Sequence, residues 1–268
     1  MSRSAADFAA LLETAHLLAD LSGDVILPRF RRPIPVVDKG GNAGFDPVTA
    51  ADRDAERAIS RYLARHHPAH SIVGEEHGGR DGDGSSVLRW VIDPIDGTKA
   101  FIMGSPLWGT LIGLLDGETP VLGMMNQPFT GERVWSGRTA AHWRTANGRV
   151  RRVRTRACRR LADCILTTTS PDLMVGDDRE KFDAVAARAR LTRYGGDCYG
   201  YCLVAGGHVD LVIETGLKPH DIVALIPIIE RAGGCITTWD GDPAAGGGRI
   251  VAAGDPALHA AAVKMLAR

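Results

Sequence analysis

The stretch from Trp90 to Phe101, WVIDPIDGTKAF, constrains this chain more than any other part of it. The apolar run 90–92 reads as a strand that delivers Asp93 at its end. Pro94 stiffens the turn, Asp96 follows shortly after, and Gly97-Thr98 opens toward a helix. Two carboxylates at one strand end are poor for stability unless something positive binds them. Hard oxygen ligands suit Mg²⁺, and free amides at a helix start suit a phosphate. Both features in one turn point to metal-assisted phosphoryl chemistry. The plainer reading is purely structural, with Asp93 closing a strand and Asp96-Gly97 forming a type I turn.

Other acids stand at the ends of elements. Glu75 and Glu76 end the strand candidate 71–76, and surface charge is their bland reading. Asp221 opens an apolar helix candidate, 221–232, where a cap or first-turn acid is expected in any case. Asp52 sits near the start of a helix candidate over 49–66, with the same plain alternative. Acids at the ends of several elements converge on one crevice if those elements are neighbours. Spacing alone does not establish that they are.

The periodicity around these residues predicts a layered architecture. Phe8, Leu11, Leu12, Ala15, Leu18, Val25 and Ile26 repeat at helical spacing over 4–28. Ala55, Ile59, Tyr62 and Leu63 share one face of the second helix, and Thr49 or Asp52 suits its first turn. Strands are expected at 87–93, 108–115, 119–127 and 132–136, with Asp116-Gly117 turning the second into the third. Two helices over a large antiparallel or mixed sheet follow. Beyond residue 150, strands at 163–168, 209–214, 235–237 and 249–252 alternate with helices at 178–188, 221–232 and 255–266. Gly233-Gly234 is a natural helix terminator and Pro256 fits a first turn. The alternation predicts an α/β sandwich. It divides into an N-terminal α+β subdomain over 1–150 and a C-terminal α/β subdomain over 151–268.

Composition narrows the function classes. Lys plus Arg equals Asp plus Glu, 32 each, so bulk charge implies no nucleic-acid partner. The arginines at 149, 151, 152, 154, 156, 159 and 160 read as a solvated hairpin and loop face, with an anion-attracting rim as the alternative. No apolar window long enough for a membrane span appears, and the N-terminus lacks a secretory h-region. The 5 cysteines form no CxxC pair and are odd in number, so they read as reduced thiols of a cytoplasmic protein. Cys198 and Cys202 suit core packing, as does Trp108. His66, His67 and His70 suit a polar helix end rather than a zinc site.

The GEE at 74–76, the DPIDGT at 93–98 and HDIVALIPIIERAGG at 220–234 together resemble the inositol monophosphatase family over nearly the whole chain. That resemblance implies an α-β-α-β-α sandwich, usually dimeric, that hydrolyses small phosphomonoesters with two or three Mg²⁺ ions. It implies Glu75, Asp93 and the Ile95 carbonyl as ligands of one ion, Asp93, Asp96 and Asp221 as ligands of a second, and a further role for Glu75 in helping to hold a third, weaker ion through water. Gly97 and Thr98 are similar to the phosphate cradle, and Thr98 with Asp52 to the pair that orients the attacking water. Lys39 precedes a Gly-rich stretch, 40–44, that resembles a mobile loop near the metals; a solvated loop lysine is the alternative.

The block 194–221 looks most like the histidinol-phosphate phosphatase branch of the family, which implies a place in histidine biosynthesis. Gly195-Gly196-Asp197-Cys198-Tyr199 and Lys218-Pro219-His220-Asp221 depart from the inositol pattern. An extra acid makes sense for a substrate bearing an ammonium group. Asp197 is the first candidate for that role, with helix capping as its alternative. Glu214 is the second, standing where the inositol enzymes carry a substrate-binding Glu. An inositol-1-phosphate or broad sugar phosphatase shares all the metal ligands and is the competing expectation. A noncatalytic metal-binding dimer is a third.

Overall fold

The computed structural model describes residues 4–39 and 46–267. The Gly-rich stretch after Lys39 lies outside the described residues. In chain order the first strands are β1 (Val36–Asp38), β2 (Pro47–Thr49), β3 (Ser71–Gly74), β4 (Gly79–Arg80) and β5 (Leu88–Asp96). They are followed by β6 (Gly109–Asp116), β7 (Thr119–Gln127), β8 (Glu132–Ser136), β9 (Ala141–Arg144) and β10 (Val150–Val153). The second half adds β11 (Ile165–Thr168), β12 (Leu191–Tyr194), β13 (Leu211–Leu217), β14 (Cys235–Thr238) and β15 (Gly248–Ala253). The helices are α1 (Ala5–Ile26), α2 (Ala50–His66), α3 (Thr98–Ile102) and α4 (Asp177–Ala186). Then come α5 (Asp197–Ala205), α6 (Pro219–Ile222), α7 (Leu225–Ala232) and α8 (Pro256–Leu266).

Two main sheets organise the molecule. An 8-stranded sheet runs β10-β9-β8-β7-β6-β5-β3-β4, and a 5-stranded sheet runs β12-β11-β13-β15-β14. The first is antiparallel except where β3 lies parallel to β5. Side-chain alternation along each strand builds the layers. On β6, Ile112 and Leu114 join Leu18, Ile59 and Leu63 of α1 and α2, while Leu111 joins Tyr201, Leu225 and Ile228 of α5 and α7. On β13, Val212 faces that same inner helix layer, and Leu211 and Ile213 face Phe182 of α4 and Leu258 of α8. The result is the α-β-α-β-α sandwich expected from the sequence.

Capping fixes where the site-bearing elements begin. Both expected residues act at the start of α2: Thr49 accepts from the Ala51 amide, and Asp52 accepts from the Thr49 amide and hydroxyl. That reciprocal box satisfies donors that a helix start otherwise leaves open. Gly233, with φ 98, ends α7 in the left-handed conformation that glycine adopts without penalty.

Several expectations need correction. The helix expected over 221–232 is two, α6 and α7, broken at 223–224. Pro227 has no amide proton to continue a ladder, but it is tolerated in the first turn of a new helix. The strand expected to end at Asp93 continues to Asp96, with a register irregularity between the two acids. The strand expected over 209–214 runs Leu211–Leu217. Strands β1, β2, β4, β9, β10 and β12 match no strand expected from the sequence, and α5 is the helix at whose start Asp197 is a cap candidate, running Asp197–Ala205. The basic stretch places Val150–Val153 at a sheet edge, as a solvated hairpin face would. Arg156, however, makes a two-pronged pair with buried Asp210, at 2.6 Å on each prong. All five cysteines are free, and Cys198, Cys202 and Trp108 are buried.

One packing detail matters for the site. Gly113 of β6 and Gly123 of β7 are direct cross-strand partners. A Cβ on Gly123 would lie 1.7 Å from the Ala224 carbonyl oxygen, and one on Gly113 would lie 2.8 Å from a Val223 methyl. The facing glycines leave a bare window on the sheet, and the break between α6 and α7 sits in it. This seats the helix that carries Asp221.

Candidate active site

The acids singled out in the sequence meet at one end of the large sheet. Carboxylate oxygens of Asp93, Asp96 and Asp221 lie within 4.8 Å of one another. Asp93 lies in β5 just before its register irregularity, and its Oδ1 accepts from the Ile95 amide at 3.0 Å. Asp96 follows the irregularity in β5, which turns it back to the same side. Its Oδ2 accepts from the Cys198 amide of α5 at 2.6 Å. Asp221 is in the first turn of α6, and its Oδ2 accepts from the Lys218 amide at 2.6 Å. It is therefore both a first-turn acid and a member of the cluster.

Glu75 adjoins Asp93 closely enough to raise that carboxyl by its charge and by a shared hydrogen bond. Lys39 reaches across with its Nζ 3.0 Å from Glu75 and 2.6 Å from Glu76. Of the two readings open for Lys39, the structure gives the one at the acidic site. Burial opposes its charge, but the hydrogen bonds to Glu76 and Glu75 outweigh that and hold it firmly protonated.

The electrostatics show why a cation fits. Burial, then the charges of Glu75, Asp96 and Asp221, push the Asp93 carboxyl well above its ordinary range. Asp96 is raised in the same way by burial and by Asp197 and Asp221. Burial raises Asp221 too, against the relief given by His220. Acids this close cannot all ionise without a compensating positive charge. The donors are all hard oxygens, the set that suits a divalent cation such as Mg²⁺.

Asp52 is 1% exposed. Burial pushes it up to about 6, with the Thr49 hydrogen bonds acting the other way. The Thr98 hydroxyl donates to the Ile95 carbonyl at 3.0 Å and stands 3.5 Å from Asp52 Oδ1. Gly97 holds φ 87 at the N-terminus of α3. A Cβ there would lie 3.2 Å from Asp197 Cγ, so the Asp197 side chain roofs the DGT turn.

Asp197 is the first residue of α5, after the cap residue Gly196, and holds an uncommon φ of 44 for a non-glycine residue. Burial raises it to about 6 while the Lys99 charge works to lower it. Glu214 is placed differently. Its Oε1 accepts from the Thr169 amide and hydroxyl at 2.9 and 2.6 Å, and Tyr201 donates to its Oε2 at 3.3 Å. Burial pushes Glu214 up to about 7. His220 lies 3.6 Å from Asp221 Oδ1, whereas the histidines expected at a helix end pack among aromatic rings. His67 and His70 stack at 5.0 Å beside Trp90, consistent with a polar helix end.

Sequence reasoning passed over Glu56, Lys99 and Glu132. Glu56 and Lys99 are charged positions on helices, where solvent is the default. Glu132 accepts from the Trp143 indole at 3.1 Å and from the Tyr199 hydroxyl, tying α5 to the large sheet.

The model of the inositol monophosphatase family matches residues 7–268. The chain belongs to that family. Among curated members, the inositol monophosphatase relatives include the bifunctional phosphatase IMPL2 of Arabidopsis thaliana. It is 43% identical over 94% of this chain and 73% of its own length. The histidinol-phosphatase of Chlorobaculum parvum is 35% identical over 86% of each chain. A solved inositol monophosphatase from Zymomonas mobilis superposes with a TM-score of 0.85, at 40% identity, over 99% of this chain and 100% of its own. Family membership and the acidic cluster together support metal-dependent phosphomonoesterase activity. Among the described residues, no helix is long and apolar enough to cross a membrane.

Proposed function

We propose that this inositol monophosphatase relative hydrolyses L-histidinol phosphate to L-histidinol and phosphate with two or three Mg²⁺ ions. The observation that carries the substrate choice is Asp197, an acid folded over Gly97 at the DGT turn. A neutral polyol needs no such partner, whereas an ammonium group close to the phosphate does. The curated histidinol-phosphatase relative supports the same substrate.

In this reading Glu75, Asp93 and the Ile95 carbonyl hold one ion, and Asp93, Asp96 and Asp221 hold another. Glu75 also serves a third ion through water. Bound Mg²⁺ supplies a water of lowered pKa and offsets charge on the phosphate and the leaving oxygen. The chain's own groups do the rest. The amides of Gly97 and Thr98 cradle the phosphate. Thr98 orients the attacking water through its hydroxyl. Asp52, raised to about 6 by burial, receives the proton close to neutral pH. Asp197 pairs with the substrate ammonium, and Glu214 braces the wall beside it. Two such chains are expected to form a homodimer in the cytoplasm.

The second reading is an inositol-1-phosphate or broad sugar phosphatase. The end-to-end match to the Zymomonas mobilis inositol monophosphatase favours it, because every assigned metal ligand serves that chemistry equally. Phosphate release from L-histidinol phosphate, myo-inositol 1-phosphate and fructose 1,6-bisphosphate separates the two. A preference of about 100-fold in kcat/KM, or roughly 2.7 kcal/mol, supports histidinol phosphate. Asp197→Asn should then raise KM for that substrate far more than for inositol phosphate. A flat profile, or equal losses, moves the chain to the second reading.

A further inference from the structure

Glu56 is a buried carboxylate that the chemistry above does not use. It lies on α2 one turn after Asp52 and is 1% exposed. Its Oε2 accepts from the Glu76 amide and its Oε1 from the His77 amide, each at 2.7 Å. Those amides belong to the turn that follows β3 and carries Glu75. The turn is closed by the Gly74 amide donating to the Gly78 carbonyl at 2.9 Å, and His77 Nε2 lies 3.0 Å from the Arg53 carbonyl oxygen. Gly74 leaves the space that Glu56 fills: a Cβ there would lie 2.3 Å from the Glu56 carboxyl carbon.

We propose that Glu56 is a positioning residue for the metal site, holding the 74–78 turn so that Glu75 faces Asp93. It rests on the reading of Glu75 as a metal ligand. The physical case is one of geometry. Lys39 contacts both carboxylates of the turn, but its long side chain adapts to either and defines no orientation. Two backbone amides bound to the two oxygens of one rigid, buried carboxylate do define one. Because Asp52 and Glu56 lie a single helical turn apart, α2 fixes the acid beside Thr98 and the turn bearing Glu75 in one rigid body. Partners that orient a ligand in this way generally account for about 10–100-fold in metal affinity.

Mn²⁺ binding to the full chain without substrate, followed by the electron paramagnetic resonance of the free ion, tests this in a double-mutant cycle. Glu56→Gln keeps the shape but places an amide NH₂ against one of the two backbone N–H groups. It should weaken Mn²⁺ binding about 10–100-fold. In a Glu75→Gln background the same change should have less than about a twofold effect, because the ligand it positions is already lost. An equal loss in both backgrounds would mean general destabilisation and would overturn the proposal, as would wild-type affinity in Glu56→Gln. If Glu75→Gln itself binds Mn²⁺ like the wild type, the ligand reading of Glu75 fails first. If Glu56→Gln does not fold, Glu56→Asp retains the charge at shorter reach, and the same cycle is read with it.

Discussion

The Thr98 hydroxyl reaches only one carboxylate oxygen of Asp52, standing 3.5 Å from Oδ1, while Oδ2 is occupied by Thr49. One oxygen of Asp52 is thus committed to the start of α2 and the other is turned to the site. Thr98→Val should lower kcat by roughly 10²-fold or more, the scale at which a positioned proton-handling group contributes. Mn²⁺ affinity should be unchanged. Steady-state kinetics beside a binding titration checks this, and parallel loss of metal binding would argue that Thr98 supports the ligands instead.

Glu214 gives a pH dependence with a definite sign. Its ordinary value is 4.5, and burial pushes it up to about 7 in the folded protein. The folded chain therefore holds this proton more tightly than the unfolded one, so the group costs stability progressively as pH rises from about 4.5 to about 7. Glu214→Gln removes that cost and keeps the acceptor for Thr169. In metal-free buffer its advantage over the wild type should be smallest below pH 4.5, grow through this window, and stay constant above pH 7. Urea denaturation at several pH values reads it. An advantage that shrinks as pH rises would refute it.

Metal should stabilise the fold as well as activate it. Asp93, Asp96 and Asp221 repel one another in the metal-free protein. Mg²⁺ at about 100 times its Kd should add about 2.7 kcal/mol, or roughly 5–10 °C in Tm for a domain of this size. Chelation should reverse the shift and abolish phosphate release together. A thermal scan with and without chelator would show otherwise if Tm did not move.

Gly123→Ala should be disproportionately harmful. Its new Cβ meets the Ala224 carbonyl at 1.7 Å, against backbone that cannot step aside. A cost at or beyond the usual overpacking range of roughly 1–3 kcal/mol is expected. Mn²⁺ affinity should also fall, because Asp221 lies just before the displaced segment. Wild-type Tm and affinity would show that the break between α6 and α7 has slack.

Which of these features were legible in the sequence follows from what each residue contacts. Helices α1 and α2 and strands β7 and β8 show clear periods, and Asp116-Gly117 marks its hairpin, so local pattern and tertiary role agree. Asp93, Asp96, Asp221 and Glu75 were legible because acids beside apolar runs are chemically conspicuous. Helix α5 was legible only as the segment that Asp197 would cap; its extent was not, because it is buried on most sides, contains Gly200, and presents no polar stripe to set its period. Strand β10 was hidden by its arginines, which suit an exposed edge but dilute the strand signal. Glu56 sits among Arg53, Asp54 and Arg57 and reads as an ordinary charged face. Only its contact with the distant Glu75 turn distinguishes it, and no local pattern carries that information.

The bare window formed by Gly113 and Gly123 ties chemistry to assembly. Asp221 reaches Asp93 and Asp96 only once the 223–224 segment has settled against the large sheet. On the proposed ligand assignment, the N-terminal acids until then form an incomplete set with weak hold on a divalent ion. Ion capture and the docking of the two sheets are therefore thermodynamically linked, each favouring the other.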